Sequence, residues 1–186
     1  MAEFQLELSD SQARILDAAR ELFSQHGVAG TSLKMIAEAV GVSKAAIYHQ
    51  YPAKEDIVYA VGQQINVALS VMTELVSSEA DITKRRRLLL DQIISLAVEN
   101  RHIAGRLQQD PHFLKLFREQ PAFLAVMTQL EETFIGGEPE PHSKAVLAML
   151  ITGVAGAVMH PICDELDNKA LSKHLTKAAD ALIGLI

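Results

Sequence analysis

The chain is predicted to be all-α, with a small three-helix unit first and a larger helical unit after it. Three observations predict this. Apolar residues recur at the 3.6-residue helical period from end to end, few stretches alternate in the β manner, and serines, prolines and glycines punctuate the periodic runs where helices start and stop. With 186 residues, 49% hydrophobic and 22% charged, the chain can bury a full core and is not of disordered composition. The expected division is residues 1–52 and 53–186.

Residues 11–25 make the first helix, with Ile15, Leu16, Ala18, Ala19, Leu22 and Phe23 on one face. Ser9 and Gln12 form a capping box, and Gly27 is the stop. Leu33 to Val40 follows, with Thr31 or Ser32 as N-cap, then Lys44 to about Gln50, capped by Ser43. Pro52 opens a long helix from about Ala53 to Ser77, whose expected apolar face carries Ile57, Val58, Val61, Ile65, Ala68, Leu69, Met72 and Leu75. Further helices are expected from Ile82 to about Gln108, Pro111 to Glu119, Pro121 to Ile135, Ser143 to about Pro161, and Leu171 to about Leu185. The Gly136–Pro141 stretch is an exposed loop.

The second and third helices with the Gly41-Val42-Ser43 turn read as a helix-turn-helix, a device that places one helix in the DNA major groove. Gly41 suits the left-handed end of the first helix, and Ala37 lets the two backbones approach. Ile36, Val40, Val42 and Ile47 lock the pair against Leu16, Leu22 and Phe23. Lys44, Ala45, Tyr48 and His49 are left facing outward. A lysine and two polar rings reach phosphates or base edges, and Ala45 and Ala46 are short enough to let the helix sit deep. Bulk charge gives no help: the net charge is -6, and residues 1–60 carry five Lys or Arg against eight Asp or Glu.

Residues 11–57 resemble the DNA-binding domain of the TetR family of bacterial transcriptional regulators. The resemblance rests on Ile15, Ala18, Ala19, Leu22, Phe23, Gly27, Thr31, Ile36, Ala37, Gly41, Val42, Ser43, Ala46, Tyr48, Tyr51, Lys54 and Glu55. It implies that Thr31 and Ser32 begin the second helix where N–H groups meet a phosphate. It also implies that Ser43, Lys44, Ala45 and Ala46 face the groove, that Tyr48 contacts backbone or base, and that Lys54 holds a phosphate. Many members have His two residues after the tyrosine; here Gln50 stands there, with His49 one place earlier, and whether His49 substitutes is open.

For the larger unit the resemblance implies ligand binding and dimerisation. The helix from Ser143 is apolar nearly all round, and the last helix shows leucines at helical spacing, so both suit a four-helix bundle on a two-fold axis. The expected dimer residues are Val146, Leu150, Gly153, Ala157, Leu171, Leu175, Ala178 and Leu182. The expected pocket residues are Met72, Leu96, Ile103, Leu107, Phe113, Phe117, Met127 and Phe134, which imply a small, largely apolar effector.

The remaining motifs exclude more than they add. No catalytic constellation, P-loop or dinucleotide fingerprint is present, and no cofactor is expected. His160, Cys163 and Asp164 do not make a convincing metal set, so no metal is expected. Lys84-Arg85-Arg86-Arg87 is read as a solvated helix end. A single cysteine, no signal-peptide pattern and no membrane-length apolar run lead to the expectation of a cytoplasmic protein. The reading is a ligand-responsive repressor that binds a pseudo-palindromic operator in double-stranded DNA as a homodimer. Its rivals are an activator or architectural protein without effector, and a small-molecule binding protein or enzyme with a vestigial helix-turn-helix.

Overall fold

The computed structural model describes residues 8–101, 110–138 and 140–186, and among these it holds nine α-helices, one 3-10 turn and no strand. In chain order they are α1 (Asp10–Gly30), α2 (Leu33–Val40), α3 (Lys44–Gln50), α4 (Lys54–Ser77), α5 (Ile82–Glu99), α6 (Pro111–Arg118), α7 (Pro121–Ile135), α8 (Pro141–Ala157) and α9 (Asn168–Ile183), with the 3-10 turn at Pro161–Cys163.

Local chemistry sets most boundaries. The Ser9–Gln12 capping box is present in full. Gly27, at φ 71° and ψ 166°, breaks the helical path where a stop was expected, and one further short turn carries α1 to Gly30. Ser32, Ser43 and Asp81 accept backbone N–H bonds at the starts of α2, α3 and α5. Gly41 ends α2 in the left-handed conformation at φ 79°. Three further helices differ from expectation. Helix α8 runs from Pro141 to Ala157, where Ser143 to about Pro161 was expected. Helix α5 ends at Glu99, where the Asn100 side chain turns back to the Leu96 carbonyl at 2.8 Å. Helix α9 begins three residues early because Asp167 accepts from the Ala170 N–H at 2.7 Å.

The helices fall into two compact units. One unit comprises the described residues of Met1–Val67 and Arg106–Leu124; the other those of Ala68–Gly105 and Ala125–Ile186. The division runs through α4, because its first turns pack in the same core as α1 to α3. Helix α6, distant in sequence, returns to that unit and packs on α1. The core there is Ile15, Leu16, Ala19, Phe23, Val28, Ile36, Ile47, Ile57, Val58 and Val61. Leu22, Val40 and Val42, expected as anchors, are only half-buried.

In the other unit α5 is the central element, packed on α8 and α9. Its core joins Leu89, Leu90, Ile93 and Ile94 to Leu130, Phe134, Val146, Leu150, Val154, Leu171 and Ile183. The basic run is not a uniformly solvated end. Lys84 and Arg87 are exposed and pair with Glu79 and Asp180, but Arg86 is buried. Its guanidinium donates to the carbonyls of Phe134 (2.8 Å) and Ile135 (3.4 Å) and to the main-chain oxygen of Ile186 (2.6 Å), and lies over the Phe134 ring. It therefore caps the C-terminal end of α7, where carbonyls lack helical partners.

Helix α4 departs most from its sequence pattern. Leu75 is 67% exposed, and Ile65, Ala68, Leu69 and Met72 are only half-buried. Ile57, Val58 and Val61 are buried as expected, but between residues 63 and 73 the buried positions are polar: Gln63 and Asn66 on the stretch in the first unit, Ser70 and Thr73 on the stretch in the second. Ser70 donates to Gln129 Oε1, and Thr73 donates to the Ser70 carbonyl.

Candidate nucleic-acid interface

Helix α3 buries Ile47 and turns Lys44, Ala45, Tyr48 and His49 to solvent, as the spacing predicts. The Lys44 ammonium lies 5.2 Å from the centre of the Tyr48 ring, so cation and ring form one exposed feature. Ala46 is half-buried, and the exposed Ser43 hydroxyl caps α3 by accepting from the Ala46 N–H. At the other end Gln50 turns away from this face and donates to Ser11 Oγ at 2.7 Å, tying the end of α3 to the start of α1. His49 stays exposed.

Two expected contacts have other partners. Thr31 is 2% exposed, and its hydroxyl lies 2.8 Å from the Gly27 carbonyl and 3.2 Å from that of Leu22. Its one proton is used inside the fold, so the side chain is not offered to a phosphate. The neighbouring Ser32 is exposed and caps α2 through the Met35 N–H. Lys54 donates to the carbonyls of Val28 (2.8 Å) and Thr31 (3.1 Å). Its ammonium is engaged by the end of α1, which carries the partial negative charge of a helix C-terminus.

Sequence reasoning missed Asp110. Its carboxylate caps α6 by accepting from the N–H groups of His112 and Phe113, and also accepts from the Val28 N–H at 2.7 Å. Burial pushes this carboxyl up, yet the three amide bonds outweigh it and leave the group below the ordinary carboxylate range. The Asp-Pro sequence announces a helix cap. The link to Val28, 82 residues away, has no local signal.

The expected pocket residues are divided between the two units. Met72 and Leu96 line an open depression of about 370 Å³ with Leu88, Asp91, Gln92, Ser95 and Glu99. Phe113 is buried in the other unit and stacks on Phe117 at 5.2 Å. Met127 is half-buried, and Phe134 is packed in the apolar core beneath Arg86, with no room for a ligand of its own. Ile103 and Leu107 lie outside the described residues.

The expected dimer set divides by burial. Val146, Leu150 and Leu171 belong to the chain's own core, because α8 and α9 must pack on α5 before they pack on anything else. Leu175 and Leu182 are half-buried against that core, and Ala157 is half-buried as well. Gly153 and Ala178 are exposed. The opposite side of α8 (Ala145, Ala148, Met149, Thr152, Gly153 and Gly156) remains open to solvent, with Met149 58% exposed.

Residues 15–61 match the family described as bacterial regulatory proteins, tetR family. A transcriptional repressor of the helix-turn-helix type from Mycobacterium tuberculosis is 30% identical over 123 residues, covering 65% of this chain and 64% of that protein. The regulator AcrR of Shigella flexneri is 35% identical over 106 residues, covering 47% of this chain and 49% of its own length. The chain thus spans between about half and 64% of these relatives. The solved structure of the regulator FadR from Bacillus subtilis in complex with stearoyl-CoA superposes with a TM-score of 0.68, covering 94% of this chain and 98% of that one, at 21% identity, and so shares the fold. The segment that forms the helix-turn-helix thus carries the match to the tetR family of bacterial regulatory proteins.

Proposed function

We propose that the protein is a transcriptional repressor that binds operator DNA as a homodimer and is released by a small effector. The observation that carries this reading is the exposed Lys44–Tyr48 pair on a helix whose opposite face is locked into a core. Helix α3 enters a major groove with Ser43, Lys44, Ala45 and Ala46 leading, and Tyr48 and His49 complete the contact. A second copy places the same helix one helical turn of DNA away. The open apolar side of α8, with Gly153 and Ala178, supports the two-fold contact. The name of the mycobacterial relative supports repression.

Thr31 and Lys54 have intrachain partners besides any phosphate contact. They fix the corner between α1 and α2, and so fix the angle at which α3 is presented. The depression beside Met72 and Leu96 is one place for an effector, and its Asp91 and Glu99 make it less apolar than the sequence implied. No described helix is long and apolar enough to cross a membrane, which fits a regulator working on DNA in the cytoplasm.

The test is the double variant Lys44→Ala, Tyr48→Ala on duplexes selected from random DNA. Loss of both side chains is expected to weaken specific binding by about a hundredfold, with helicity and oligomeric state unchanged. Full-affinity binding by the variant would remove α3 from the DNA contact.

A further inference from the structure

Asn66 is an anomaly of burial. It sits on the inward side of α4 at 1% exposure, and among the described residues neither its amide nitrogen nor its oxygen has a hydrogen-bond partner. A buried amide left without partners on both atoms is costly and rare, so such a group calls for an explanation. Its surroundings on α4 repeat the pattern: Gln63 is 9% exposed, and the Oε1 of Gln64 is buried without a partner. One turn before Asn66, Gly62 has no side chain, and the Phe117 ring occupies the space, 2.6 Å from where a Cβ would stand. Phe117 in turn stacks with Phe113 and leans on Phe123 at 4.5 Å.

We propose that Asn66 is the polar anchor of a small-molecule site on this stretch of α4, beside the Phe117 ring. Its ligand carries a planar amide-type edge on a flat apolar body. The chemistry follows from the side chain. A carboxamide offers a donor and an acceptor side by side, and a planar edge with the reverse pair satisfies both at once, as in another carboxamide, a lactam or a urea. A carboxylate leaves the Asn66 oxygen unpaired, and an ammonium leaves its nitrogen unpaired. The aromatic cluster supplies the apolar wall for the body of the ligand.

The site has a route to the helix-turn-helix within the same unit. Phe117 lies in the last turn of α6, and the cap of that helix, Asp110, holds the Val28 N–H at the corner from which α2 and α3 are hung. A ligand that displaces the ring moves the helix that carries the Asp110 bond. The proposal rests on the reading of the chain as an effector-controlled repressor. Its test is made without DNA, so a wild type that binds no operator would count against that reading, whereas a probe response that does not depend on Asn66 counts against this one.

The probe is benzamide, with cumene as the same ring lacking the donor–acceptor pair. Melting temperature of the full chain is followed against probe concentration. The wild type is expected to be stabilised by benzamide and not by cumene. Asn66→Leu is expected to melt a few degrees higher without probe, because an unpaired amide has been removed, and to bind benzamide at least about tenfold more weakly. Asn66→Ala serves if leucine is too large. A benzamide response that is equal in wild type and variant overturns the proposal. So does absence of any benzamide response together with a lower melting temperature in the variants, which would assign Asn66 to a trapped water.

Discussion

Val28 is held on both sides of its backbone by side chains that arrive from different helices. Asp110, at the cap of α6, accepts from its N–H, and Lys54, at the start of α4, donates to its carbonyl. The residue before it, Gly27, stands at φ 71°, where a Cβ would come within 3.2 Å of the Asp110 carboxylate. Neither side-chain bond belongs to a regular helix, so the corner depends on side-chain chemistry, and Asp110 makes it depend on pH. Its folded carboxyl lies below the ordinary range, so its contribution is complete above the pKa of the unfolded chain. It is lost as pH falls through the folded value. Asp110→Ala is expected to cost about 1–3 kcal/mol near neutrality, through three amides losing a partly buried acceptor. The difference between wild type and variant should shrink on acidification below the ordinary carboxylate range. Urea melts across that interval check it; a difference independent of pH would show that the bond energy does not reside in the ionised carboxylate.

At the scale of elements, Arg86 does for α7 what no local residue does. Its guanidinium reaches the last two carbonyls of that helix and the main-chain oxygen of Ile186, and it is buried with no Asp or Glu side chain among these partners. Arg86→Met keeps much of the apolar stem and removes the donors. It is expected to destabilise the protein by about 2–4 kcal/mol, read as a lower urea midpoint at unchanged slope. The neighbouring Arg87→Met is expected to change little, since Arg87 pairs only at the surface. The basic run shows where sequence legibility stops. Composition marks four cations on a helix, but only the packing of α7 against α5 decides which one turns inward. Helices α2 and α3 were legible to the residue because Ser32, Gly41 and Ser43 write their ends into the chain. Helix α4 was legible as a helix, and its face was read correctly at Ile57, Val58 and Val61 and misread beyond them. Its apolar residues are numerous enough to suggest a stripe, yet Asn66, Ser70 and Thr73, at spacings of four and three, form the side that is buried. The outward set Lys44, Tyr48 and His49 was legible for the complementary reason: α3 is short, and burying Ile47 leaves one orientation.

At the scale of the whole molecule, the proposed function requires an acidic chain of net charge -6 to reach a polyanion as two copies. Two copies double that unfavourable background, so binding must come from geometry: two α3 helices held at a fixed spacing add their contacts through effective concentration. The spacing depends on the face that joins the copies, and the open side of α8 is the surface assigned to it. Met149 is 58% exposed there, and Gly153 and Gly156 have nothing within 4 Å of an added Cβ, so nothing among the described residues fills that side. Met149→Glu puts a carboxylate on each copy at this surface. Because the chain's own core is formed by Val146, Leu147, Leu150 and Val154 on the other side, the monomer should remain folded. Sedimentation is expected to show a monomer at concentrations where the wild type is a dimer. Operator affinity should fall by about a hundredfold or more, while binding to a half-site duplex should be little changed. A variant that stays dimeric would move the two-fold contact off this side of α8, and a monomer with undiminished operator affinity would remove the need for two copies at all.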